Sequence, residues 1–540
     1  MARRRDTGTV SFDVSAGADD SIADAASIAA ERPAGPSLRE RWRTASRRRR
    51  RAVAGAAGGI VLVVAGAAVL SGPVMAHAEA ERLRSAPGGV LSLDGELAET
   101  WGADVDGLGP VLPGGGLVVL QDDAAVALDV ATGEERWRVD LGADPECGPQ
   151  PTISSGVDWT IGVELVTCLH GTEDERTVTV LGDAGGVVGQ RSLEPGTYAG
   201  AGRRLAPAAD GGLVVVEHET GLPEEFVGGG DIFTELDRLE PSASTATVEV
   251  EDALTGERRF EVPVREVPAD RAAVSSCYGV QVAEDDTVRA RLVGVDPTAT
   301  PTMVGYQGCG VEAAATADGR DLLTGSREAS GAGYPRLWSP DRQPYPGGGF
   351  VVTGPDQGST LLADDGTTVL ESSDRLLAPR ATDGTADGLV LAVRGDDVVV
   401  ATDRAGTELW RRPVGGVDLA VSTAGAVVTS AWRTIVGLDP LDGTELWTVR
   451  PDAGTDWYPV SAVTDGDRVA TVVEEYTDTG EHLASTLLTV DLATGGSRRT
   501  PLDDDGDDWP VAVDGQLLLL DLEPDGGALD VVGVRALAVP

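Results

Sequence analysis

The amino-acid sequence predicts an all-β fold of repeated short strands, preceded by one transmembrane helix and a disordered tail. Beyond residue 85, apolar runs such as Gly116–Leu120 alternate with Gly/Asp turns, and long amphipathic helical patterns are absent. One strand–turn–strand unit recurs along this region. Because such units bury their faces only by stacking on one another, the repeats predict a β-propeller of about eight four-stranded blades, with seven as the alternative.

The repeat is clearest at residues 127–137, where Asp129, Thr132 and Gly133 form a D-x-x-T-G turn before Trp137. The Asp is expected to accept hydrogen bonds from the backbone, and the Gly to adopt a positive φ. The aromatic residue is expected to pack between neighbouring sheets. Four partial copies carry the same frame: Asp252, Gly256 and Phe260; Asp403, Gly406 and Trp410; Asp439, Gly443 and Trp447; and Asp491 and Gly495, with Arg499 at the aromatic position.

The segment 127–137 matches A-x-D-x-x-T-G-x-x-x-W and resembles the blade motif of the PQQ-like repeat β-propeller family. The resemblance covers about residues 88–540. Enzymes of that family hold pyrroloquinoline quinone beside a calcium ion bound by Glu, Asn and Asp, and many have a disulfide between adjacent cysteines. This chain has no Asn and no adjacent cysteines. The resemblance therefore implies a non-catalytic member without a cofactor.

Repeat units begin near residues 113, 151, 204, 272, 346, 385, 418 and 457, and a terminal unit begins near 509. The terminal unit is expected to share its blade with residues 88–101, which would close the ring between the two ends of the domain. The stretch 272–372 is the least regular and is compatible with one blade or two. Insertions at 221–245 and 326–347 are expected to form loops at one rim.

The predicted transmembrane helix is the uncharged run of residues 52–76, which is long enough to cross a bilayer. Arg47 to Arg51 come directly before it, so the positive-inside rule places residues 1–51 in the cytoplasm as a disordered tail. Residues 77–87 would then be a linker, and 88–540 an extracytoplasmic propeller. Ala76-His77-Ala78 resembles a signal peptidase site, so a cleaved signal is the alternative.

The net charge of −45 is uneven, because residues 1–51 contain twelve Arg and seven acidic residues and the remaining 489 residues therefore carry −50. Such a surface repels nucleic acid and favours cationic partners. Apart from the membrane, the expected partner is an envelope protein or a cationic ligand.

No catalytic, cofactor-binding or metal-binding residue is assigned from the sequence. The motifs G-x-S-x-G, G-x-G-x-x-G and H-E-x-x-H are absent, and the four His are scattered. The acidic run 502–508 is predicted to be a solvated turn rather than a calcium site. The predicted function is therefore a binding or scaffold module in the cell envelope. The alternative is an extracytoplasmic enzyme, either a quinoprotein dehydrogenase or a carboxylate-based hydrolase.

Two disulfides are predicted, Cys147–Cys168 and Cys277–Cys309. All four cysteines follow the predicted membrane span, in a compartment where disulfides persist. Pairing in sequence order keeps each bond within one repeat, whereas the other pairings join distant blades. The alternative is four buried free thiols.

Overall fold

The computed structural model divides the chain into two compact units, residues 1–77 and 78–540. Of the first unit, residues 75–77 are described, and they are helical. The described residues are 75–539 without 173–174, 195–202, 220–224, 229–244, 267–277, 283–287, 293–296, 309–310, 323–341, 354–357, 386–387, 396, 416, 418–419, 432, 453, 478–481, 503–506 and 526–527.

Within the described part of the chain, no helix has the length and apolar character needed to cross a membrane. The predicted tail and residues 52–74 of the predicted span lie outside that part. The transmembrane helix therefore stays a prediction.

The second unit is a β-propeller, and its first three blades follow β1 (Ala98–Asp104). Blade 1 contains β2 (Gly107–Leu112), β3 (Gly116–Gln121), β4 (Ala124–Asp129) and β5 (Glu135–Asp140). Blade 2 contains β6 (Glu146–Gly148), β7 (Leu165–His170), β8 (Thr177–Gly182) and β9 (Val187–Ser192). Blade 3 contains β10 (Arg203–Ala208), β11 (Gly212–Glu219), β13 (Thr245–Asp252) and β14 (Arg258–Val262), with β12 (Glu225–Gly228) in an accessory sheet.

The next three blades surround the least regular part of the sequence. Blade 4 contains β15 (Val264–Glu266), β18 (Thr298–Ala299), β19 (Met303–Gly308) and β20 (Val311–Thr316), and the accessory sheet adds β16 (Tyr278–Val282) and β17 (Val288–Leu292) to β12. Blade 5 contains β21 (Arg342–Pro344), β22 (Phe350–Thr353), β23 (Ser359–Leu362) and β24 (Thr368–Ser372). Blade 6 contains β25 (Arg375–Leu377), β27 (Leu389–Arg394), β28 (Val398–Asp403) and β29 (Glu408–Pro413).

The last three blades complete the ring. Blade 7 contains β26 (Ala381–Thr382), β30 (Ala420–Ser422), β31 (Val427–Ala431), β32 (Thr434–Leu438) and β33 (Glu445–Val449). Blade 8 contains β34 (Thr455–Pro459), β35 (Val463–Thr464), β36 (Arg468–Thr477), β37 (His482–Asp491) and β38 (Ser497–Pro501). Blade 9 contains β39 (Asp507–Val513), β40 (Gln516–Asp525), β41 (Ala528–Ala538) and the early strand β1.

The described strands therefore form nine blades, and the predicted count of eight, with seven as the alternative, is wrong. The irregular stretch 272–372 supplies strands to two blades, 4 and 5. In blade 4 the outer strand β15 precedes the three inner strands and pairs with β20. The blade is consequently not one contiguous sequence unit, which is why a count of contiguous repeats misjudged this region.

The ring closes where the sequence predicted. β1, from the start of the domain, pairs antiparallel with β41 from its end, so the terminal unit shares its blade with early residues. Each blade shares an apolar core with the next, and the core between blades 9 and 1 includes Val119, Val126 and Leu520. The middle strands are buried on both faces by neighbouring blades, whereas an outer strand such as β5 is largely exposed.

The ring has two different ends. Because successive strands of a blade run antiparallel, the turns after its first and third strands lie at one end, and the hairpin between its second and third strands lies at the other. We call these ends the turn face and the hairpin face. In blades 8 and 9 the strands of this hairpin are 10 or 11 residues long, compared with 6 in blade 1.

Residues 78–97, which we call the leader, pack on the turn face. Residues 78–85 of the predicted linker are helical, and Leu83, Val90 and Leu93 are buried. Backbone hydrogen bonds then join the leader to three blades: Thr382 N to Pro87 O, Val90 N to Thr464 O, and Leu91 N to Gly515 O. The leader is therefore an integral part of the propeller.

Leu93→Ala tests this role of the leader. Leu93 is 0% exposed in the core between blades 8 and 9, so its truncation should lower the free energy of unfolding by about 2–4 kcal/mol. Leu441→Ala is the control, because Leu441 is 85% exposed and its loss should change stability by less than about 0.5 kcal/mol. Denaturant unfolding followed by tryptophan fluorescence measures both. Equal losses of stability in the two variants would show that packing of the leader does not stabilise the propeller.

Candidate functional site

The D-x-x-T-G turns lie on the turn face, between the third and fourth strands of their blades. In blade 1, Asp129 Oδ1 accepts hydrogen bonds from Ala131 N at 3.0 Å and Thr132 N at 3.2 Å. Gly133 has a φ of 71°, and its N–H donates to Asp129 O at 2.7 Å. The Asp thus holds the turn through its side chain and its carbonyl oxygen.

The other copies repeat this pattern with variations. Asp252 Oδ1 accepts from Leu254 N and Thr255 N, and Asp491 Oδ1 from Thr494 N. In the turn of blade 6, Asp403 Oδ1 accepts from Ala405 N and Thr407 N. In the turn of blade 7, Asp439 Oδ1 accepts from Leu441 N. The positive-φ glycines of these four turns are Gly256, Gly406, Gly443 and Gly495.

In two of the D-x-x-T-G turns, the Asp also accepts a hydrogen bond from an arginine that the sequence analysis did not single out. Arg136 donates to Asp129 Oδ2 at 2.6 Å and to Gly114 O in the first turn of the same blade at 2.5 Å. This hydrogen bond lowers the pKa of Asp129. In blade 3, Arg259 donates to Asp252 Oδ2 at 2.8 Å and lowers its pKa to about 2. Both arginines stand seven residues after the Asp, a spacing visible in the sequence.

The aromatic residue of the motif joins one blade to the next. Trp137 Nε1 donates to Asp183 O in blade 2 at 2.9 Å, and its ring lies on Gly185, where a Cβ would stand 2.5 Å from Trp137 Cγ. Three further tryptophans bond the following blade in the same way: Trp101 to Val130 O, Trp410 to Pro440 O and Trp447 to Leu492 O. Their rings lie on Gly133, Gly443 and Gly495, and the ring of Phe260 lies on Gly319.

Positions without an aromatic residue vary. Leu370 is the side chain nearest to Gly406, and Arg191 is the nearest to Gly256. Arg499, at the aromatic position of blade 8, lies over the ring of Trp457 at 5.0 Å instead. The link between blades therefore tolerates a range of side chains above the glycine.

The predicted disulfide between Cys147 and Cys168 is confirmed. The two residues are directly opposite on β6 and β7, with 4.1 Å between their Cα atoms, and both are fully buried. A bond across 21 residues contributes about 3 kcal/mol on the chain-entropy model. Cys277 and Cys309 lie outside the described residues, so their pairing stays a prediction.

The segment enclosed by this disulfide crosses the propeller axis. We call residues 150–163 the plug. Its Asp158 Oδ1 accepts from Thr302 Oγ1 of blade 4 at 2.7 Å, and its Ile153 O accepts from Trp509 Nε1 of blade 9 at 3.1 Å. A Cβ on Gly156 would stand 2.0 Å from Arg380 O, beyond the first strand of blade 6. A single segment reaches blades so far apart in the ring only by lying across its centre.

A small cavity lies beside the plug. A cavity of about 10 Å³ lies among Gly156, Trp159, Arg380 and Val511 and has room for about one water molecule. Asp158 is 1% exposed, and burial raises its pKa. The plug thus crosses the axis as a half-buried segment, held by the buried side chains of Asp158 and Trp159.

On the hairpin face, the facing sides of blades 8 and 9 carry aromatic and acidic side chains beyond the apolar core that the two blades share. Side chains alternate along a strand, so Glu474 and Tyr476 share a face with Val472, which packs in the core between these blades. Tyr458 lies opposite Glu474 in the register, on the same face, and is 48% exposed. We call this the 8–9 groove.

The blade 9 side of the 8–9 groove carries two carboxyl groups and one guanidinium. Asp508 and Asp521 are directly opposite on β39 and β40, and they share a face with Ala512 and Leu519 of the same core. Arg535 donates to both carboxyl groups, at 2.8 Å to Asp521. Burial and the neighbouring Asp521 carboxyl raise the pKa of Asp508 to about 7. The Asp508 carboxyl group is therefore largely protonated at moderately acidic pH.

The predicted solvated turn at 502–508 needs correction at its last residue. Residues 503–506 lie outside the described part, but Asp508 is only 3% exposed. Pairing of β39 with β40 draws Asp508 into the sheet, which the run of acidic letters does not reveal. In the described residues, no group of three or more His, Cys, Asp or Glu is arranged to hold a metal ion.

The strand pairing of the described residues defines the second unit as a nine-bladed β-propeller. No family model matches the sequence, and no curated protein matches it. Among solved structures, BamB from Moraxella catarrhalis is 12% identical with a TM-score of 0.34, and the match covers 82% of this chain and 99% of BamB.

Two other solved structures are similar at the same level. The dihydro-heme d1 dehydrogenase NirN in complex with DHE is 14% identical with a TM-score of 0.30, over 79% of this chain and 80% of NirN. The WD40 domain of SCAP from fission yeast is 9% identical with a TM-score of 0.31, and the match covers 82% of this chain and 97% of that domain. Because these TM-scores are below 0.5, no function is inferred from them, and the propeller is defined by its strand pairing.

Gly443→Ala tests the link between blades. Gly443 and Gly366 occupy equivalent turns with φ of 70° and 78°, but a Cβ at Gly443 would stand 2.6 Å from Trp410, whereas none lies within 4 Å at Gly366. Gly366→Ala, the control, should cost about 1–2 kcal/mol for its backbone conformation alone. Gly443→Ala should cost about 1–3 kcal/mol more, because it displaces the tryptophan ring. Equal losses in denaturant unfolding would contradict the role of the contact.

Asp508→Asn tests the raised pKa of Asp508. A raised carboxyl pKa means that the folded state holds a proton which the unfolded state releases, so Asp508 costs stability progressively as the pH rises from about 4 to about 7. The advantage of the Asn variant over the wild type should grow across this window and reach roughly 1–3 kcal/mol above pH 7. Denaturant unfolding at several pH values measures the difference.

The control for this experiment is Asp530→Asn, at an exposed position on the same blade. Because this side chain is exposed, the substitution should change the free energy of unfolding by less than about 0.5 kcal/mol. A stability difference between Asp508→Asn and the wild type that does not change with pH would contradict the raised pKa of Asp508.

Proposed function

We propose that this chain is a non-catalytic, PQQ-like propeller that is anchored in the membrane and acts outside the cytoplasm as a binding or scaffold module of the cell envelope. The observation that carries the proposal is the plug. It lies across the axis, where the residues of blades 4 and 9 hold it by hydrogen bonds, and it occupies a position at which a ligand could otherwise enter the ring.

The shape of the ring indicates where a partner would bind. The turn face is occupied by the plug, the leader and the turns that join the blades. The hairpin face carries the long hairpins of blades 8 and 9, and Tyr458 and Leu483 of blade 8 are 48% and 45% exposed. Exposed aromatic and apolar side chains on projecting hairpins are typical of binding surfaces. The hairpin face is therefore the proposed binding surface.

The membrane anchor and the orientation rest on the sequence. The uncharged run 52–76 follows Arg47 to Arg51, which favours a cytoplasmic N-terminus. The buried disulfide Cys147–Cys168 supports an oxidising compartment for the propeller.

Photo-crosslinking in intact cells tests the binding surface. A photoreactive amino acid in place of Leu483, on the hairpin face, should give a discrete adduct of the full-length chain. The same amino acid in place of Leu441, which is 85% exposed in a turn of blade 7, should give none. No adduct at Leu483, or equal adducts at both sites, would contradict a hairpin-face scaffold.

Protease treatment of wall-stripped cells tests the topology. External protease should digest the propeller and leave a tag at the N-terminus intact, since residues 1–51 are expected in the cytoplasm. Loss of the N-terminal tag, with the propeller protected, would reverse the orientation. A soluble form that begins at Glu79 would instead show cleavage of a signal.

A further inference from the structure

The aromatic side of the 8–9 groove is a row of three aromatic rings. The rings of Tyr458 and Tyr476 meet edge to face, with centroids 5.4 Å apart at 81°, and the rings of Tyr476 and His482 with centroids 5.3 Å apart at 63°. Tyr458 is 48% exposed and His482 is exposed, so ring surfaces are open to solvent. The face of an aromatic ring carries negative potential and attracts cations.

Carboxylates reinforce this potential. Tyr476 donates its hydroxyl proton to Glu474 Oε2 at 2.6 Å, which positions the ring and adds a negative charge beside it. On the blade 9 side, the side chain of Asp521 is 28% exposed and the side chain of Asp508 is 1% exposed. Among the described residues, Oδ2 of Asp508 has no hydrogen-bond partner. Arg535 supplies one positive charge against these three carboxyl groups.

We propose that the 8–9 groove binds the side-chain cation of an arginine or lysine in a basic segment of a partner polypeptide. The proposal rests on the proposed function and specifies the chemistry of the partner. The aromatic rings would stack on the cation, and Glu474 and Asp521 would neutralise it. The balance of −50 on residues 52–540 attracts basic segments to the propeller, and the groove selects among them by shape.

A polypeptide fits this groove better than a free ion does. The strands of the hairpins on its two sides are 10 or 11 residues long. An extended peptide could therefore lie along several residues of each strand. A small cation would use only the ring faces and one or two carboxylates.

Fluorescence anisotropy with the purified full-length chain tests the proposal. The probe is a short labelled peptide of alternating Gly and Arg, at about 0.15 M salt, where the screening length is about 8 Å. The matched peptide carries citrulline, which keeps the shape of Arg without its charge. Tyr458→Ala and Glu474→Gln should each weaken binding of the Arg peptide about fivefold. Exposed controls outside the groove, Leu409→Ala and Glu445→Gln, should change it less than about twofold.

Specific outcomes would overturn the proposal. Equal losses in groove and control variants would indicate diffuse attraction to an acidic surface. Equal binding of the citrulline peptide would exclude cation recognition, and competition by free arginine amide at the concentration of the peptide would indicate a small-cation site instead. A crosslinked adduct at Leu483 together with no binding of the Arg peptide would reject this groove and leave the scaffold function standing.

Discussion

The ring depends on one contact repeated around it: a large side chain at the end of one blade lies on the turn glycine of the next. A Cβ at Gly133, Gly185 or Gly495 would stand 2.5–2.7 Å from a tryptophan ring. The same tryptophan donates its indole N–H to a carbonyl of that turn, so apolar packing and a hydrogen bond act together. Because blades share no strand ladder with their neighbours over most of the ring, such contacts and the apolar cores between blades set their spacing.

This contact explains why the fold can be predicted from so few letters. The D-x-x-T-G turn and the following aromatic residue are local in sequence, yet they encode both the turn and the joint with the next blade. The closure of the ring by residues near 98–104, and the bond between Cys147 and Cys168, could be predicted for the same reason, since each follows from counting repeats.

The features that sequence reasoning missed depend on residues far apart in the chain. The outer strand β15 of blade 4 precedes its inner strands, so no contiguous repeat marks that blade. The plug could not be predicted because hydrogen bonds between distant residues hold it, from Thr302 to Asp158 and from Trp509 to Ile153. The 8–9 groove combines Tyr458 and Tyr476 with Asp508 and Asp521 through strand register alone. The spacing of residues in the sequence does not predict such long-range contacts.

The pairing of β1 with β41 has a consequence for synthesis. During translation β1 emerges more than four hundred residues before its partner, and the leader emerges earlier still. Until β41 leaves the ribosome, the edge of β1 is open, and Leu93 and Leu97 lack the part of their core that blade 9 supplies. A chain that stops before β41 therefore displays an unpaired edge strand beside apolar residues, a feature that chaperones and proteases recognise. Pairing of β1 with β41 thus makes the protection of the first strand depend on the synthesis of the ninth blade.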